Sequence, residues 1–346
     1  MYCEVFIKDF SRLGEIVSAQ LRESSAGALL DNAMKLSLEA NPMFTTEMQR
    51  EALAAVSEQM LREPLLGKWI EPYKDLAVQR EEITGIIMAG NLPLVGFHDF
   101  LSCIAAGFKT EIKLSRKDCF LLPALFEILC GINHYWRERV VFTDTLSERI
   151  SRLIATGSDQ TVRSIGGNYR DIPRLLRGTR SSFAILDGSE DREQLTKLCD
   201  DMFLYFGMGC RSVSTLIVPQ GFDFYPLLKS AGKYAHLGGN NEYSSAFRYN
   251  KALLVMEEKE FIDGGFFLLQ KGAPFPPPLS VIGVVEYTAK NEIEAFIKMN
   301  ENRIQAMVSC ADDEGFTAPG EAQHPKLDQY ADNINTLDFL LKNISK

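Results

Sequence analysis

Between residues 83 and 156, short apolar runs and helical runs follow one another in strict turn, and this alternation constrains the fold more than any other feature. Residues 83–89 (Ile-Thr-Gly-Ile-Ile-Met-Ala) read as a buried strand. Gly90-Asn91-Leu92-Pro93 breaks it, and a helix is expected over 94–106, ending at Gly107. A strand at 110–114, a helix at 120–130, a strand at 139–143, a helix at 147–153 and a short strand at 153–156 continue the series. Such a succession needs a parallel sheet with helices on both faces, which binds ligands at the carboxyl ends of its strands. Upstream, residues 1–80 read as helical, with Thr45 an N-cap for the run 48–61. Downstream, strands at 182–186, 213–218, 251–256 and 279–285 and a helix at 192–205 point to a second α/β unit. The proline-rich stretch 274–278 is an extended connection, 311–328 is polar and loop-like, and 334–344 returns to an amphipathic pattern.

At 346 residues the chain is long enough for two domains. Residues 1–186 are expected to hold a helical region and a nucleotide-binding domain, and 187–310 a second domain. Residues 311–346 are expected to form a C-terminal segment that returns to the first domain or builds an oligomer interface. The composition, 46% hydrophobic and 24% charged, is that of a soluble globular protein. A net charge of −9 argues against an extended nucleic-acid surface. No apolar stretch is long enough to span a bilayer, so no membrane segment is expected. The first ten residues carry Glu4, Lys8 and Asp9 and lack the apolar core of a signal peptide. Seven cysteines without a Cys-x-x-Cys pair fit a reducing cytoplasm, and four scattered histidines offer no metal-ligand spacing.

Cys210 lies in Phe206-Gly207-Met208-Gly209-Cys210-Arg211-Ser212, after an expected helix and before an expected strand. Its two glycines allow a sharp bend and a close approach to a ligand. A thiolate at such a turn is a strong nucleophile, although a free cysteine is more often a small core hydrophobe. Asn91 alone reads as an ordinary turn residue, Lys113 as a solvated charge at a strand end, and Gly157-Ser158 as a strand-to-helix turn. His98 and Asp99 read as a satisfied helix pair, and His236 as a loop residue.

Taken in order, Gly90-Asn91-Leu92-Pro93-Leu94, Ala105-Ala106-Gly107, Lys113-Leu114-Ser115, Thr156-Gly157-Ser158 and Gly207-Met208-Gly209-Cys210 resemble the aldehyde dehydrogenase superfamily. The closer likeness is to LuxC-type acyl-CoA reductases, supported by 180–186 and by Gln323, Pro325, Tyr330-Ala331-Asp332 and Phe339-Leu340. The resemblance covers most of residues 80–340. It implies an α/β, aldehyde dehydrogenase-like fold: a parallel-sheet cofactor domain plus an α/β catalytic domain. It makes Cys210 the nucleophile that takes the acyl group from an acyl-CoA or other acyl thioester. The Asn91 amide and the Cys210 backbone N–H then serve the carbonyl oxygen. Lys113 and Ser115 are implied at the adenosine ribose, Gly157 and Ser158 at the pyrophosphate.

Many NAD-dependent relatives carry a glutamate three residues after the strand-end lysine. This chain has Arg116 there, followed by Lys117, which favours a 2′-phosphate and so NADP(H), with NAD(H) the alternative. Hydrolytic relatives carry a water-activating glutamate in a segment matching 175–180, and this chain has none. The carboxylate that orients the nicotinamide ribose in the superfamily is also missing from 273–278. The resemblance further implies a homo-oligomer and allows an acyl-transferring partner enzyme. Two other readings stay open: a CoA-independent aldehyde dehydrogenase, and a non-catalytic relative acting as a binding or scaffold protein.

Overall fold

The computed structural model describes residues 2–23, 29–311 and 315–342. The chain forms two compact units, one of Met1–Gly178 with Pro325–Lys346 and one of Thr179–His324. The expected boundary at 186 therefore moves to 178/179, because the strand at 181–185 pairs inside the second sheet. Of the expected amphipathic end 334–344, residues 343 and 344 lie outside the described residues.

The first unit opens with helices α1 (Tyr2–Glu23), α2 (Leu29–Ala40), α3 (Thr46–Ala55) and α4 (Glu63–Ile70), with a π-helical turn, Val56–Met60, between the last two. Thr45 caps α3 as expected, its hydroxyl accepting from the Met48 N–H at 3.3 Å. The sheet follows: β1 (Ile83–Ile87), α5 (Phe97–Ala105), β2 (Lys109–Lys113), α6 (Leu121–Ile132), β3 (Val140–Phe142), β4 (Ile150–Thr156), α7 (Asp159–Asn168) and β5 (Arg174–Arg177). Its strands run parallel in the order β3-β2-β1-β4-β5. Register aligns Ile87 with Lys113 on one side and with Ala155 on the other. The loops after β1, β2 and β4 thus leave the sheet at one level, on the edge where parallel sheets bind ligands. Apolar residues on β1, β2 and β4 (Ile86, Ile112, Ile154) and on α5 and α6 (Phe100, Leu101, Leu125) form one core. Gly107 ends α5 with φ +88°, and a side chain there would run into the Val78 carbonyl, so only glycine serves.

In the second unit come β6 (Ser181–Ile185), α8 (Arg192–Phe203), β7 (Val213–Pro219), α9 (Tyr225–Ala231), α10 (Asn241–Met256), β8 (Phe261–Asp263), β9 (Leu268–Lys271), β10 (Val281–Tyr287), α11 (Lys290–Asn300) and β11 (Ile304–Ser309). The order is β11-β6-β7-β10-β9-β8, with only β8 antiparallel to its neighbour. A last helix, α12 (Thr336–Leu341), belongs to the first unit.

Two expected elements change type. Residues 147–153 are not a helix: β4 begins at Ile150, and Ser147 instead gives its N–H and hydroxyl to the Glu111 carboxylate at 2.7 and 2.8 Å. Residues 251–256 are not a strand but the last turns of α10, a helix started by Asn240, whose side chain accepts from the Glu242 and Tyr243 N–H groups. The run Ala-Leu-Leu-Val-Met is too short for its period to decide between strand and helix, and the cap twelve residues before it decides it.

Candidate active site

Six of the expected site residues lie on the carboxyl edge of the first sheet: Asn91 after β1, Lys113, Ser115 and Arg116 at the end of β2, and Gly157 and Ser158 between β4 and α7. Asn91, Lys113 and Arg116 are exposed and Ser115 is half-buried. The first two loops interlock. A side chain on Gly90 would lie 2.4 Å from the Ser115 hydroxyl, so the β1 turn presses directly on the β2 loop. Asp118, almost wholly buried, ties them further: its N–H bonds the Ser115 carbonyl at 3.0 Å, and its carboxylate accepts the Leu94 N–H at 2.8 Å. Leu94 is held at φ +59°, a left-handed conformation costly for a leucine. Burial pushes the Asp118 carboxyl up to about 7 against the opposing Leu94 hydrogen bond, and its Oδ1 has no partner.

The β2 loop therefore turns its one carboxylate inward and its cations outward. Arg116 and Lys117 are exposed, and the Ser115 hydroxyl accepts the Lys117 N–H at 3.3 Å. At the third loop, Ser158 is the N-cap of α7, accepting from the Thr161 N–H at 3.2 Å and sharing a hydrogen bond with the Thr161 hydroxyl at 2.9 Å. Gly157 leaves room for Thr161, 3.1 Å from where its Cβ would stand. Both residues thus have local work in starting a helix. Asp159, the first residue of that helix, lies against Gly178.

Cys210 belongs to the second unit and lies at the amino end of β7, not at a carboxyl edge. It is half-buried, whereas Cys103, Cys130 and Cys199 are buried. Helix α8 starts with a capping box from Asp191 and Gln194 and stops at Phe203. Tyr205, Phe206 and Gly207 then take φ of +57°, +57° and +70° in succession. Two non-glycine residues in the left-handed region are strained, and strain of this kind collects at functional turns. A side chain on Gly207 would lie 2.9 Å from the Met202 carbonyl. The turn is closed by the Ser212 N–H on the Gly209 carbonyl at 3.0 Å and by the Gly209 N–H on the Ser212 hydroxyl at 3.1 Å. Ser182, on β6, donates its hydroxyl to the Cys210 carbonyl at 2.9 Å and accepts the Ala306 N–H at 3.0 Å. Arg211 is close enough for its charge to interact with the Cys210 sulfur; burial lowers its pKa and that sulfur opposes the shift. A cation beside a thiol favours the thiolate.

The segment 175–180 holds an arginine with a structural task. The Arg177 guanidinium, nearly fully buried, binds both Asp99 oxygens at 3.1 and 3.3 Å, the Thr336 hydroxyl at 2.8 Å and the Ala331 carbonyl at 2.5 Å. Asp99 is thereby satisfied, and His98 bonds the Leu327 carbonyl at 2.9 Å between the rings of Trp69 and Tyr330. His236 is exposed and contacts the Lys233 carbonyl. Gly166 and Gly167 lie inside α7. A cleft of about 480 Å³ among α1, the π-helical turn and α4, lined by Ser11, Arg22, Ser57 and Arg62, includes none of the expected site residues. Among the described residues no cluster of His, Cys, Asp and Glu could hold a metal ion, and no helix is long and apolar enough to cross a membrane. Ser182, Ser212 and Asp118 carry no signal of these roles in the sequence. Each acts on a residue distant in the chain or on a backbone group, and neither leaves a local signature.

A family model described as acyl-CoA reductase (LuxC) matches residues 20–224, more than half of the chain and the stretch that includes every residue considered above as nucleophile, amide donor or cofactor contact. No curated protein sequence matches. Among solved structures, the NAD-dependent benzaldehyde dehydrogenase of Corynebacterium glutamicum is 12% identical, with 90% of this chain covering 77% of that one at a TM-score of 0.61. A mutant aldehyde dehydrogenase C of Pseudomonas syringae in complex with NAD+ and octanal is 14% identical, covers 90% and 73%, and gives 0.63. The aldehyde dehydrogenase of Mycobacterium tuberculosis complexed with NAD+ is 14% identical, covers 90% and 74%, and gives 0.61. At such identities the likeness establishes the fold, which is that of aldehyde dehydrogenases, α/β with one parallel and one mixed sheet. The chain belongs to the acyl-CoA reductase (LuxC) family, oxidoreductases built on this fold.

Proposed function

We propose that the protein is an acyl-CoA reductase in which Cys210 takes the acyl group from an acyl-CoA and releases it as an aldehyde. The Cys210 thiolate attacks the thioester carbonyl carbon. The bond from that carbon to the CoA sulfur breaks, CoA leaves as its thiol after taking a proton, and the acyl group stays on Cys210 as a thioester. The Asn91 side-chain amide and the Cys210 backbone N–H would donate hydrogen bonds to the oxygen as charge builds on it. A reduced nicotinamide, when bound, supplies the hydride that turns the acyl carbon into an aldehyde as the bond to Cys210 breaks and the thiolate returns.

The observation that carries this reading is the presentation of Cys210. A half-buried sulfur beside Arg211 follows a strained left-handed run, in a chain of the acyl-CoA reductase family. The absence of a glutamate at 175–180 supports it: Arg177 there is committed to Asp99, so that segment offers no base to activate water against the acyl-enzyme. For the cofactor we favour NADP(H). The first sheet's carboxyl edge has the strand order of nucleotide-binding sheets, and Lys113, Ser115, Arg116, Gly157 and Ser158 line its loops. Arg116 and Lys117 face solvent where a 2′-phosphate would be bound, and Asp118, the loop's carboxylate, is turned away. Asp159 beside Ser158 weakens the case for phosphate at the third loop.

The test is direct. Purified protein with NADPH and acyl-CoA of short, medium and long chain should release thiol, oxidise NADPH and form aldehyde in equal amounts. Cys210→Ala should abolish all three. If neither thiol nor aldehyde appears at any chain length, the reductase reading is wrong. Aldehyde oxidation without CoA would favour the dehydrogenase alternative.

A further inference from the structure

The chain after β11 comes back to the Cys210 turn. Thr317 pairs with the end of β11, its N–H on the Met307 carbonyl at 2.8 Å. Three and five residues on, the Gly320 and Ala322 N–H groups both bond the carboxylate of Asp201, at 2.6 and 3.0 Å. Asp201 is fully buried near the end of α8, just before the strained run. Gly320 is left-handed at φ +89° and lies so close to Lys197 that a side chain would crowd it at 3.0 Å, so the strap lies flat on α8.

This docking delivers Gln323. Its buried amide nitrogen donates to the Asp201 carbonyl at 3.0 Å and to the Ser212 hydroxyl at 3.3 Å. Asp201 precedes the turn and Ser212 follows it, and Ser212 in turn accepts the Gly209 N–H at 3.1 Å. One side-chain amide thereby bridges the two ends of the loop that carries Cys210. A loop holding strained residues keeps its shape only when its surroundings over-determine it.

We propose that Gln323, brought in by the strap 315–323 docked on Asp201, is a positioning residue for Cys210. It holds the turn in the conformation that keeps the sulfur beside Arg211. The proposal rests on the reading of Cys210 as the nucleophile, but it has its own readout.

Gln323→Met keeps the volume of the side chain and removes both N–H donors; Gln323→Leu removes the same donors with a branched apolar chain. Iodoacetamide labelling at neutral pH, followed by peptide mapping, gives the rate at each cysteine of one molecule. Cys310, half-buried in the same unit, is the internal standard, and buried Cys199 reports unfolding. The expected result is that both variants slow Cys210 about tenfold, the scale of one or two lost hydrogen bonds, and leave Cys310 and Cys199 unchanged. With acyl-CoA and NADPH, kcat should fall by a similar factor and KM should stay. If either variant leaves the Cys210 rate within about twofold of wild type, or if Cys199 becomes reactive along with the loss, the positioning role is overturned. If wild-type Cys210 is no faster than Cys310 and nothing is turned over, it is the nucleophile reading that fails.

Discussion

A sulfur becomes a nucleophile through what surrounds it, and at Cys210 the surroundings are a cation and a set of backbone hydrogen bonds. Three other cysteines are half-buried as well. Desolvation pushes Cys3, Cys119 and Cys310 up, and for Cys310 the nearby carboxylates Glu190, Asp187 and Asp191 add to it. The proposed amide donor, Asn91, can be tested separately from the sulfur. Asn91→Ala should lower kcat by about 10²–10³ with little change in KM, the cost of removing one donor from an oxyanion site. Steady-state kinetics on one acyl-CoA decides, and an unchanged kcat would leave Asn91 as a turn residue only. The proposed preference for NADP(H) rests on Arg116. Losing a charged hydrogen bond of about 1.5–3 kcal/mol corresponds to roughly tenfold to a hundredfold in affinity. Arg116→Glu should therefore raise the KM for NADPH by about that factor and lower that for NADH. Equal KM values for the two cofactors in the wild type would contradict the role given to Arg116.

The elements that hold these residues follow from local signals in some places and distant ones in others. Thr45, Asn240 and Ser158 start helices through a side-chain oxygen one turn ahead, a pattern written in adjacent residues. The same is true of Gly90 and Gly107, whose breaks end an apolar run. Strand β11 pairs with β6 across more than a hundred residues, and no local period announces it. The strap at Asp201 is of that kind as well, which is why Gln323 is visible in the sequence only through a family likeness. Arg177 is the clearest instance. Its position in the sequence reads as a missing glutamate; in the fold it ties β5 to α5 and to the start of α12. Arg177→Met leaves Asp99 buried without its partner and should cost about 3–5 kcal/mol in urea unfolding. Adding Asp99→Asn should restore part of this, since the two losses are one interaction. Additive losses would show that the pair is not coupled.

At the scale of the whole molecule, two buried carboxyl groups set a pH dependence. Burial raises both Asp118 and Asp201 to about 7, against the hydrogen bonds from Leu94 and from Gly320 and Ala322; the neighbouring Asp200 adds to the rise at Asp201. In the unfolded chain such groups titrate near 3.9. Below that value both states are protonated and the folded protein bears no penalty. As pH rises toward 7 the unfolded chain releases protons that the folded protein retains, so stability falls, by on the order of a few kcal/mol per group. Unfolding free energy should therefore be lower at pH 8 than at pH 5.5. Asp118→Asn, which can still accept the Leu94 N–H, should flatten that slope and gain most at pH 8. A gain independent of pH would show that Asp118 is ionised in the fold.

The most direct measurement of the central claim is the mass of the protein after brief incubation with an acyl-CoA and no reductant. The expected result is a gain of one acyl group, mapped to the peptide carrying Cys210, absent in Cys210→Ala and discharged as aldehyde when NADPH is added. An unmodified Cys210 under conditions where the protein is folded, or an adduct on another cysteine that survives NADPH, would contradict it.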